Sequence, residues 1–210
     1  MATGILLVCT GNICRSPMAE ALFSNKVLAR YPHLFPFVDI SSAGTSAVEG
    51  GPATQAAVQV MDLWGVDLDY HQAEQLTLRA LAEADLIVVM SREHLLSVER
   101  MDPQALSRAF TLNYLAAQKD RVLEVVGGSV PIGELELAQR AQRVLEALSA
   151  ERGDARLSGK RSREPEFESR AFDIMDPMGG NLEVYLMVAE EIDNALDALM
   201  EMLFGDEEEE

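Results

Sequence analysis

The segment Asp85–Met90 limits the fold more than any other, because five consecutive apolar residues follow one acidic residue. A strand that is apolar on both faces belongs to a sheet that is covered on both sides. Further apolar runs predict strands at Ile5–Val8, Phe37–Ile40 and Phe110–Leu112. Helical patterns separate these runs, and this alternation predicts an α/β fold with a parallel sheet and right-handed crossovers.

Helices are predicted where apolar residues recur at three- and four-residue spacing. The first opens at Ser16, a favoured N-cap residue, with Pro17 at the first helical position. The other predicted helices cover Ala53–Leu63, Leu76–Ala84, Arg92–Arg100, Glu134–Glu151 and Leu182–Leu203. The segment Gly153–Glu168 is charged and poor in large apolar residues, which predicts a mobile loop.

Length and pattern together indicate one domain. A chain of 210 residues suits a single domain that carries a large insertion. We predict this domain over residues 1–204 and the insertion at about 116–170, where the alternation of strands and helices loosens. Residues 205–210 are predicted to form an acidic, disordered tail.

The net charge of −18 restricts the partners of the chain. It argues against nucleic acid and against an anionic membrane surface, so an anion site would need a local source of positive potential. The run Ile5–Val8 is too short for a signal peptide, and no segment approaches the ~20 apolar residues of a membrane span. We therefore expect a cytoplasmic protein. Its two cysteines allow neither a disulfide framework nor a cysteine-rich zinc site.

The loop after the first strand has the composition of a phosphate site: five residues separate Cys9 from Arg15 and Ser16. A loop of this length can turn successive backbone N–H groups inward as an anion-binding nest beside a helix N-terminus. Gly11 permits a left-handed backbone or a close approach, and the Asn12 amide can brace the loop. Arg15 returns beside Cys9 and offers a planar fork to two phosphate oxygens.

The same surroundings predict that Cys9 is a nucleophile. A helix N-terminus and a nearby guanidinium favour the thiolate form of a cysteine, and Ser16 can donate its hydroxyl to the sulfur. The competing interpretation is that Cys9 is a small buried residue at the end of a strand. The phosphate interpretation also gives independent roles to the other loop residues, which the competing interpretation does not.

The segment Val8–Ala21 resembles the N-terminal signature of the low-molecular-weight protein-tyrosine phosphatases. Further segments that fit the layout of this family are Ser42–Thr45, Ala84–Met90 and Asp173–Pro177. The resemblance covers roughly residues 4–115 and 171–204. It implies a four-stranded parallel sheet flanked by helices on both faces, a phosphate-binding loop after the first strand, and a hydrolase that uses no metal or other cofactor.

The resemblance also implies a role for each site residue. Cys9 would form a phosphocysteine intermediate, Arg15 would clamp the phosphate, and Asp176 would protonate the leaving group and then activate water. The other substrate-binding loop residues would be Thr10, Gly11, Asn12, Ile13, Cys14 and Ser16. Asp102 also precedes a proline, but it is more simply an N-cap with Pro103 at the first helical position.

The walls of the predicted cleft depart from the common pattern of the family. Members often carry aromatic residues after the Asp-Pro pair and in the loop after the second strand, where this chain has Met178, Gly179 and Val48. We predict Val48 and Met178 as apolar walls, which would grip an aryl group less well. Structural or surface roles are predicted for the histidines, which are His33, His71 and His94.

The predicted function is a protein-tyrosine phosphatase that acts on a phosphorylated protein or a small phosphomonoester. The main alternative is a protein-arginine phosphatase of the same family, whose members tend to have Thr where Ile13 stands. A thioredoxin-linked arsenate reductase would need further cysteines, and none follows Cys14. An inactive phosphopeptide-binding module would have no use for Cys9 and Asp176. A weak homodimer is compatible with the sequence.

The curl of the loop would also bring Cys14 near Cys9. A sulfenic acid formed on Cys9 could then be captured as a disulfide with Cys14, which would protect the nucleophile from irreversible oxidation. The alternative is that Cys14 only packs beneath the loop, and the sequence leaves both interpretations open.

Overall fold

The computed structural model describes residues 2–157 and 170–205. Within these residues the strands are β1 (Thr3–Cys9), β2 (Val38–Gly44), β3 (Leu86–Val89) and β4 (Ala109–Thr111). They form one parallel sheet in the order β2-β1-β3-β4. The predicted α/β fold, with a four-stranded parallel sheet and flanking helices, is therefore confirmed.

Helices connect and cover the strands. Those of the described residues are α1 (Arg15–Arg30), α2 (Gln55–Leu63), α3 (Leu78–Glu83), α4 (Arg92–Met101), α5 (Leu112–Val126), α6 (Glu134–Leu157) and α7 (Leu182–Phe204), with short 3-10 helices at Phe35–Phe37, Ala105–Arg108 and Arg170–Phe172. Helix α7 packs against α1, α2 and α5, while α4 packs against β3 and β4. None of the helices in the described parts combines the length and apolar character that crossing a membrane requires.

The two inner strands are buried along their whole length, as the apolar run Asp85–Met90 predicts. Every residue of β1 and β3 is buried, because neighbouring strands flank them and helices cover the sheet. The edge strand β2 differs, since its first four residues, Val38–Ser41, are exposed or half-buried and only its last three are buried. The hydrophobic core therefore surrounds β1 and β3, and β2 and β3 flank the carboxyl end of β1.

The order of the strands places a crevice at the end of β1. The chain leaves β1 toward β2 and later returns past β1 to β3, so the direction of the crossovers reverses at β1. With right-handed crossovers, this reversal puts helices on both faces of the sheet. At such a reversal the loops at the carboxyl ends of the strands part and leave a crevice. This crevice opens where β1 ends, at Cys9.

Two predicted boundaries near this crevice are wrong. Helix α1 begins at Arg15, so Ser16 is not its N-cap, and the Ser16 hydroxyl instead donates to Cys9 Sγ. Strand β2 continues to Gly44, beyond its predicted end at Ile40, because this second half of β2 pairs in register with the second half of β1. In both places a tertiary partner replaces the local preference.

The region after β4 is more regular than the sequence pattern predicts. Helix α5 begins at Leu112, the predicted end of the last strand, and helix α6 extends through Leu157, beyond the predicted start of the mobile loop at Gly153. Residues 158–168 of that loop and the acidic tail from residue 206 lie outside the described residues. The domain limits of 1–204 and the insertion at about 116–170 stay predictions.

A buried guanidinium joins α6 to the end of α7. Arg140 is 1% exposed, and it donates from Nε to Met202 O (2.8 Å), from Nη1 to Ser129 O (3.0 Å) and from Nη2 to Glu201 O (3.1 Å). The last carbonyls of a helix have no partner within the helix and carry the negative end of its dipole, so a cation is favoured there. Arg140 therefore fixes α6 and the segment before it to one end of α7.

We expect Arg140→Ala to unfold more easily than the wild type. The substitution leaves the buried Met202 carbonyl without this donor, while Glu201 O keeps the hydrogen bond from Gly205 N and Ser129 is exposed to water. An unsatisfied buried carbonyl costs about 1–3 kcal/mol. The free energy of unfolding in urea should therefore fall by about 1–3 kcal/mol. Arg143→Ala, at an exposed position of the same helix, is the matched control and should change it by less than about 0.5 kcal/mol. Equal effects of the two substitutions would contradict the role of Arg140.

Candidate active site

Cys9 lies at the carboxyl end of β1 and is buried, and its sulfur accepts two hydrogen bonds. The backbone N–H of Asn12 donates to Cys9 Sγ at 3.3 Å, and the Ser16 hydroxyl donates to it at 3.0 Å. Both groups present the positive end of a dipole to the sulfur. The predicted contact between Ser16 and Cys9 is therefore present, and a negatively charged sulfur would be stabilised here as an acceptor.

The loop owes its shape to Asn12, whose backbone is left-handed with a φ of 53°. Asn12 Nδ2 donates to Ser16 Oγ (2.9 Å) and to Ser42 Oγ (2.7 Å), and Asn12 Oδ1 accepts from Glu74 N (2.8 Å). The prediction that Asn12 braces the loop is confirmed. Gly11 does not have a positive φ, and a Cβ at Gly11 would lie 3.3 Å from Cγ1 of Ile13.

Gly44, at the end of β2, allows the loop to sit directly on the sheet. A Cβ on Gly44 would lie 2.6 Å from Thr10 O and 2.9 Å from Asn12 N, which is closer than such atoms can approach. The following residues then donate to the loop, Thr45 N to Cys9 O (2.9 Å) and Ser46 N to Thr10 O (2.8 Å). Any side chain at position 44 would push the loop away from β2. The sequence interpretation did not assign Gly44 this role.

Arg15 returns to the loop as predicted and is almost completely buried. Its Nη2 donates to Asp176 Oδ2 at 2.8 Å and contacts Thr10 Oγ1 at 3.5 Å, while Nη1 donates to Ile174 O at 3.3 Å. Its Nε is buried and has no hydrogen-bond acceptor among the described residues. A buried donor without an acceptor costs about 1–3 kcal/mol, so Arg15 keeps a strong donor for an anion that enters the crevice.

The segment before α7 brings Asp176 to Arg15. This segment docks on the end of β3, where Ile174 N donates to Met90 O at 2.9 Å and Asp173 Oδ1 accepts from Arg92 N at 2.6 Å. Asp176 itself has a side chain that is 53% exposed, so its carboxylate faces the solvent-accessible side of the crevice. The loop and Asp176 are far apart in sequence, and β3 supplies the platform on which they meet.

The competing acid, Asp102, is not brought to the loop. It follows the last residue of α4, and its Oδ1 accepts from Gln104 N at 2.9 Å, an ordinary turn contact. Helix α4 begins at the carboxyl end of β3 and spans ten residues, or about 15 Å. Asp102 therefore lies about one helix length away from the edge of the sheet that holds Cys9.

His94, for which the sequence predicts only a structural or surface role, contacts the loop directly. It is 3% exposed, its Nε2 lies 2.8 Å from Thr10 Oγ1, and its Nδ1 lies 3.0 Å from Ser91 Oγ. Burial, followed by the positive charge of Arg15, lowers the pKa of His94 to about 4. The imidazole is thus neutral at neutral pH. Its place in the first turn after a buried parallel strand is the signal that could have identified it.

The other two histidines, His71 and His33, lie in different parts of the fold. His71 Nε2 donates to the backbone oxygen of Asn12 at 2.7 Å, so it supports the left-handed turn of the loop. His33 Nε2 instead contacts Pro131 O at 3.2 Å, far from the loop in the fold. The prediction of a purely structural role therefore fits His33, while His71 and His94 belong to the surroundings of the site.

The apolar side chains that are predicted as cleft walls are exposed to solvent. Val48, in the loop after β2, is 78% exposed, and Met178, which follows Asp176, is 54% exposed. Met175 adds a third exposed apolar side chain on the segment that carries the carboxylate. Their exposure leaves them free to contact a substrate, but their role as cleft walls stays a prediction.

Cys14 is buried beneath the loop as a free thiol. Its Sγ lies 3.4 Å from both Thr54 Oγ1 and Tyr185 OH, and burial raises the pKa of the Cys14 thiol. Cys14 thus remains a neutral thiol packed against α2 and α7. Capture of an oxidised Cys9 by Cys14 stays a prediction.

The crevice combines a buried sulfur, a guanidinium with one donor unused, and an exposed carboxylate. This set of groups suits a tetrahedral oxyanion, with the sulfur below it and the carboxylate at its outer side. Among the side chains that the structure describes, in residues 2–150 and 170–205, no group of three or more His, Cys, Asp or Glu is placed to hold a metal ion. The chemistry that the described groups can support is nucleophilic attack with acid assistance.

Comparison with known proteins agrees with this geometry. The family model "Low molecular weight phosphotyrosine protein phosphatase" matches residues 4–127. The probable low molecular weight protein-tyrosine-phosphatase EpsP of Ralstonia nicotianae is 40% identical over 112 residues, which are 53% of this chain and 72% of that protein. A protein-arginine-phosphatase of Geobacillus stearothermophilus is 28% identical over 199 residues, which are 95% of each chain.

The fold comparison gives the same result. The solved structure of a low molecular weight protein tyrosine phosphatase from T. tengcongensis is 29% identical and superimposes with a TM-score of 0.64, and the match covers 95% of this chain and 99% of that chain. The family model spans more than half of the 210 residues and includes the whole loop from Cys9 to Ser16. The chain belongs to the low molecular weight phosphotyrosine protein phosphatase family, whose members are hydrolases with a cysteine nucleophile.

Proposed function

We propose that the protein hydrolyses phosphotyrosine in proteins through a phosphocysteine intermediate on Cys9. The observation that carries this proposal is the buried Arg15 Nε, a donor without an acceptor beside a sulfur that already accepts two hydrogen bonds. A phosphoryl group provides the missing acceptor, and its phosphorus would lie in reach of the sulfur. Phosphorylated proteins are then the partners, and the cytoplasm is the compartment we propose.

In the first step, Cys9 Sγ attacks phosphorus, the S–P bond forms and the bond from phosphorus to the leaving oxygen breaks. Asp176 gives its proton to that oxygen, which leaves as the phenol of tyrosine. The fork of Arg15 and the loop amides hold the equatorial oxygens, where the charge of the transition state is spread. The substrate phosphate competes with Asp176 for Arg15, which frees the carboxyl group to face the leaving oxygen.

In the second step, a water molecule attacks phosphorus and gives its proton to Asp176. The S–P bond breaks, and inorganic phosphate and the Cys9 thiolate are released. The N–H of Asn12 and the hydroxyl of Ser16 lower the energy of that thiolate, so they assist its departure. The cycle then closes with Cys9 as a thiolate and Asp176 protonated, the state in which the site reacts with the next substrate phosphate.

Ile13 favours phosphotyrosine over phosphoarginine as the substrate. Its half-buried side chain lies in the loop, and its backbone oxygen accepts from Thr54 N at 2.8 Å. The side chain gives apolar contact and no acceptor, which suits a phenyl ring and leaves the N–H groups of a guanidine without a partner. The second candidate is nevertheless a protein-arginine phosphatase, because the Geobacillus relative with that name matches 95% of the chain.

We expect Cys9→Ser to abolish turnover of p-nitrophenyl phosphate, because the hydroxyl of serine is a far weaker nucleophile than a thiolate. Arg15 and the loop amides remain, so calorimetry should still detect binding of inorganic phosphate to the folded variant. Mass spectrometry after a rapid acid quench should find one covalent phosphoryl group on the wild type, attached to Cys9. Appreciable turnover by the folded variant would remove Cys9 from the mechanism.

We expect Asp176→Asn to slow phenyl phosphate by about 100-fold, the usual contribution of a general acid. p-Nitrophenyl phosphate should be slowed far less, because its phenolate leaves without a proton. Asp102→Asn is the matched control, since Asp102 also precedes a proline but lies one helix length away. Equal losses of kcat on both substrates, or the selective loss in Asp102→Asn, would reject the assignment of Asp176.

The substrate class can be measured on two peptides of one sequence that carry phosphotyrosine or phosphoarginine. We expect wild type to release phosphate faster from the phosphotyrosine peptide. Ile13→Thr adds a hydroxyl that can accept from a guanidine N–H, so the ratio of kcat/KM values should shift toward phosphoarginine by about tenfold. A wild type that prefers the phosphoarginine peptide would replace the proposed substrate by the second candidate.

A further inference from the structure

Thr10 connects the clamp of the proposed mechanism to a buried histidine. Thr10 Oγ1 lies 2.8 Å from His94 Nε2 and 3.5 Å from Arg15 Nη2. On its other side His94 contacts Ser91 Oγ at 3.0 Å, and Ser91 is the N-cap residue of α4. A continuous chain of polar contacts therefore runs from the end of β3 to the guanidinium.

We propose that His94 is a positioning residue that aims the Thr10 hydroxyl at Arg15, and thereby sets the plane of the guanidinium for catalysis. This inference rests on the proposed role of Arg15 as the phosphate clamp. His94 itself touches neither the phosphate site nor Cys9 in the contacts described above. It acts through Thr10.

The hydrogen positions follow from what each group can donate. Arg15 Nη2 is only a donor, so Thr10 Oγ1 accepts from it and must send its own proton elsewhere. A neutral imidazole has one acceptor nitrogen, and His94 Nε2 is the atom beside Thr10 Oγ1. The proton of the ring is then on Nδ1, where Ser91 Oγ accepts it. This single tautomer gives both the Thr10 hydroxyl hydrogen and the ring N–H of His94 an acceptor.

The charge state of His94 agrees with this assignment. Burial and the positive charge of Arg15 lower the pKa of His94, while Asp176 raises it, and the result of about 4 leaves the ring neutral. A protonated ring would carry an N–H on both nitrogens, turn the Thr10 hydroxyl away from its acceptor and add a second positive charge beside Arg15. The neutral ring is therefore the form that supports the guanidinium.

The contribution of Thr10 grows during the proposed reaction. In the free site Arg15 Nη2 interacts mainly with Asp176 at 2.8 Å, and the 3.5 Å contact with Thr10 is long for a hydrogen bond. The general acid must leave Arg15 when it turns to the leaving group. Thr10 Oγ1 is then the acceptor that remains beside Nη2, while the oxygen of Ile174 holds Nη1. Positioning by Thr10 thus acts in the transition state more than in the ground state.

The test measures kcat and KM for phenyl phosphate in variants of Thr10 and of His94, whose side chains contact each other. We expect Thr10→Val, which keeps the shape but removes the hydroxyl, and His94→Leu each to lower kcat by about tenfold, with KM changed by less than about threefold. Thr10→Ser should recover most of the loss, because it restores the hydroxyl. His33→Leu, which removes a histidine far from the loop, should leave kcat unchanged.

The double variant Thr10→Val/His94→Leu separates positioning from packing. If His94 acts through the Thr10 hydroxyl, the double variant should lose no more than the more affected single variant. Losses that multiply, or a Thr10→Val variant with kcat within twofold of wild type, would overturn the proposal. His94→Asn replaces His94→Leu in the cycle if the leucine variant does not fold.

Arg15→Lys distinguishes a failure of this inference from a failure of the clamp. An ammonium cannot make the two-pronged contact to phosphate, so this variant should lose most of its activity. If Arg15→Lys loses activity and Thr10→Val does not, only the role of His94 is wrong. If Arg15→Lys keeps its activity, the clamp itself is wrong and the proposed mechanism fails with it.

Discussion

The side-chain amide of Asn12 holds three separate parts of the chain in one place. It donates to Ser16 on α1 and to Ser42 on β2, and it accepts from the backbone of Glu74. A left-handed backbone is unfavourable for a residue with a Cβ, so these contacts sustain the φ of 53°. The Asn12 N–H reaches the sulfur of Cys9 only in this conformation. The surroundings of Cys9 thus depend on the side-chain amide of Asn12, although this amide does not contact the sulfur.

This construction also explains how a chain with a net charge of −18 can hold an anion. The positive potential comes from backbone N–H groups of the loop after Cys9, the start of α1 and the buried guanidinium of Arg15, which contacts Thr10 of that loop. Charges on the remaining surface are separated from the crevice by solvent and are screened over roughly 8–10 Å. Local dipoles therefore decide the chemistry of the site, while the total charge acts only at longer range.

The sequence predicts those features that depend on local apolar runs and residue spacing. The buried strand Asp85–Met90 and the loop from Cys9 to Arg15 follow from apolar runs and spacing, and the helix boundaries of α4 and α7 are nearly correct. His94 could not be assigned, because its contact with Thr10 exists only after α4 has docked on the sheet. Gly44 was missed for the same reason, since the backbone that excludes a side chain there belongs to the loop after β1.

The unused Nε of Arg15 has a consequence for inhibition of the enzyme by its own product. In the proposed mechanism the floor of the crevice would contact only the phosphoryl group, so it would not distinguish a substrate from the inorganic phosphate that the reaction releases. Each turnover therefore leaves behind a competitor that satisfies the same donors, and the rate declines as this product accumulates. Free phosphate in solution would compete in the same way, and by mass action an anion that binds only the folded protein stabilises it.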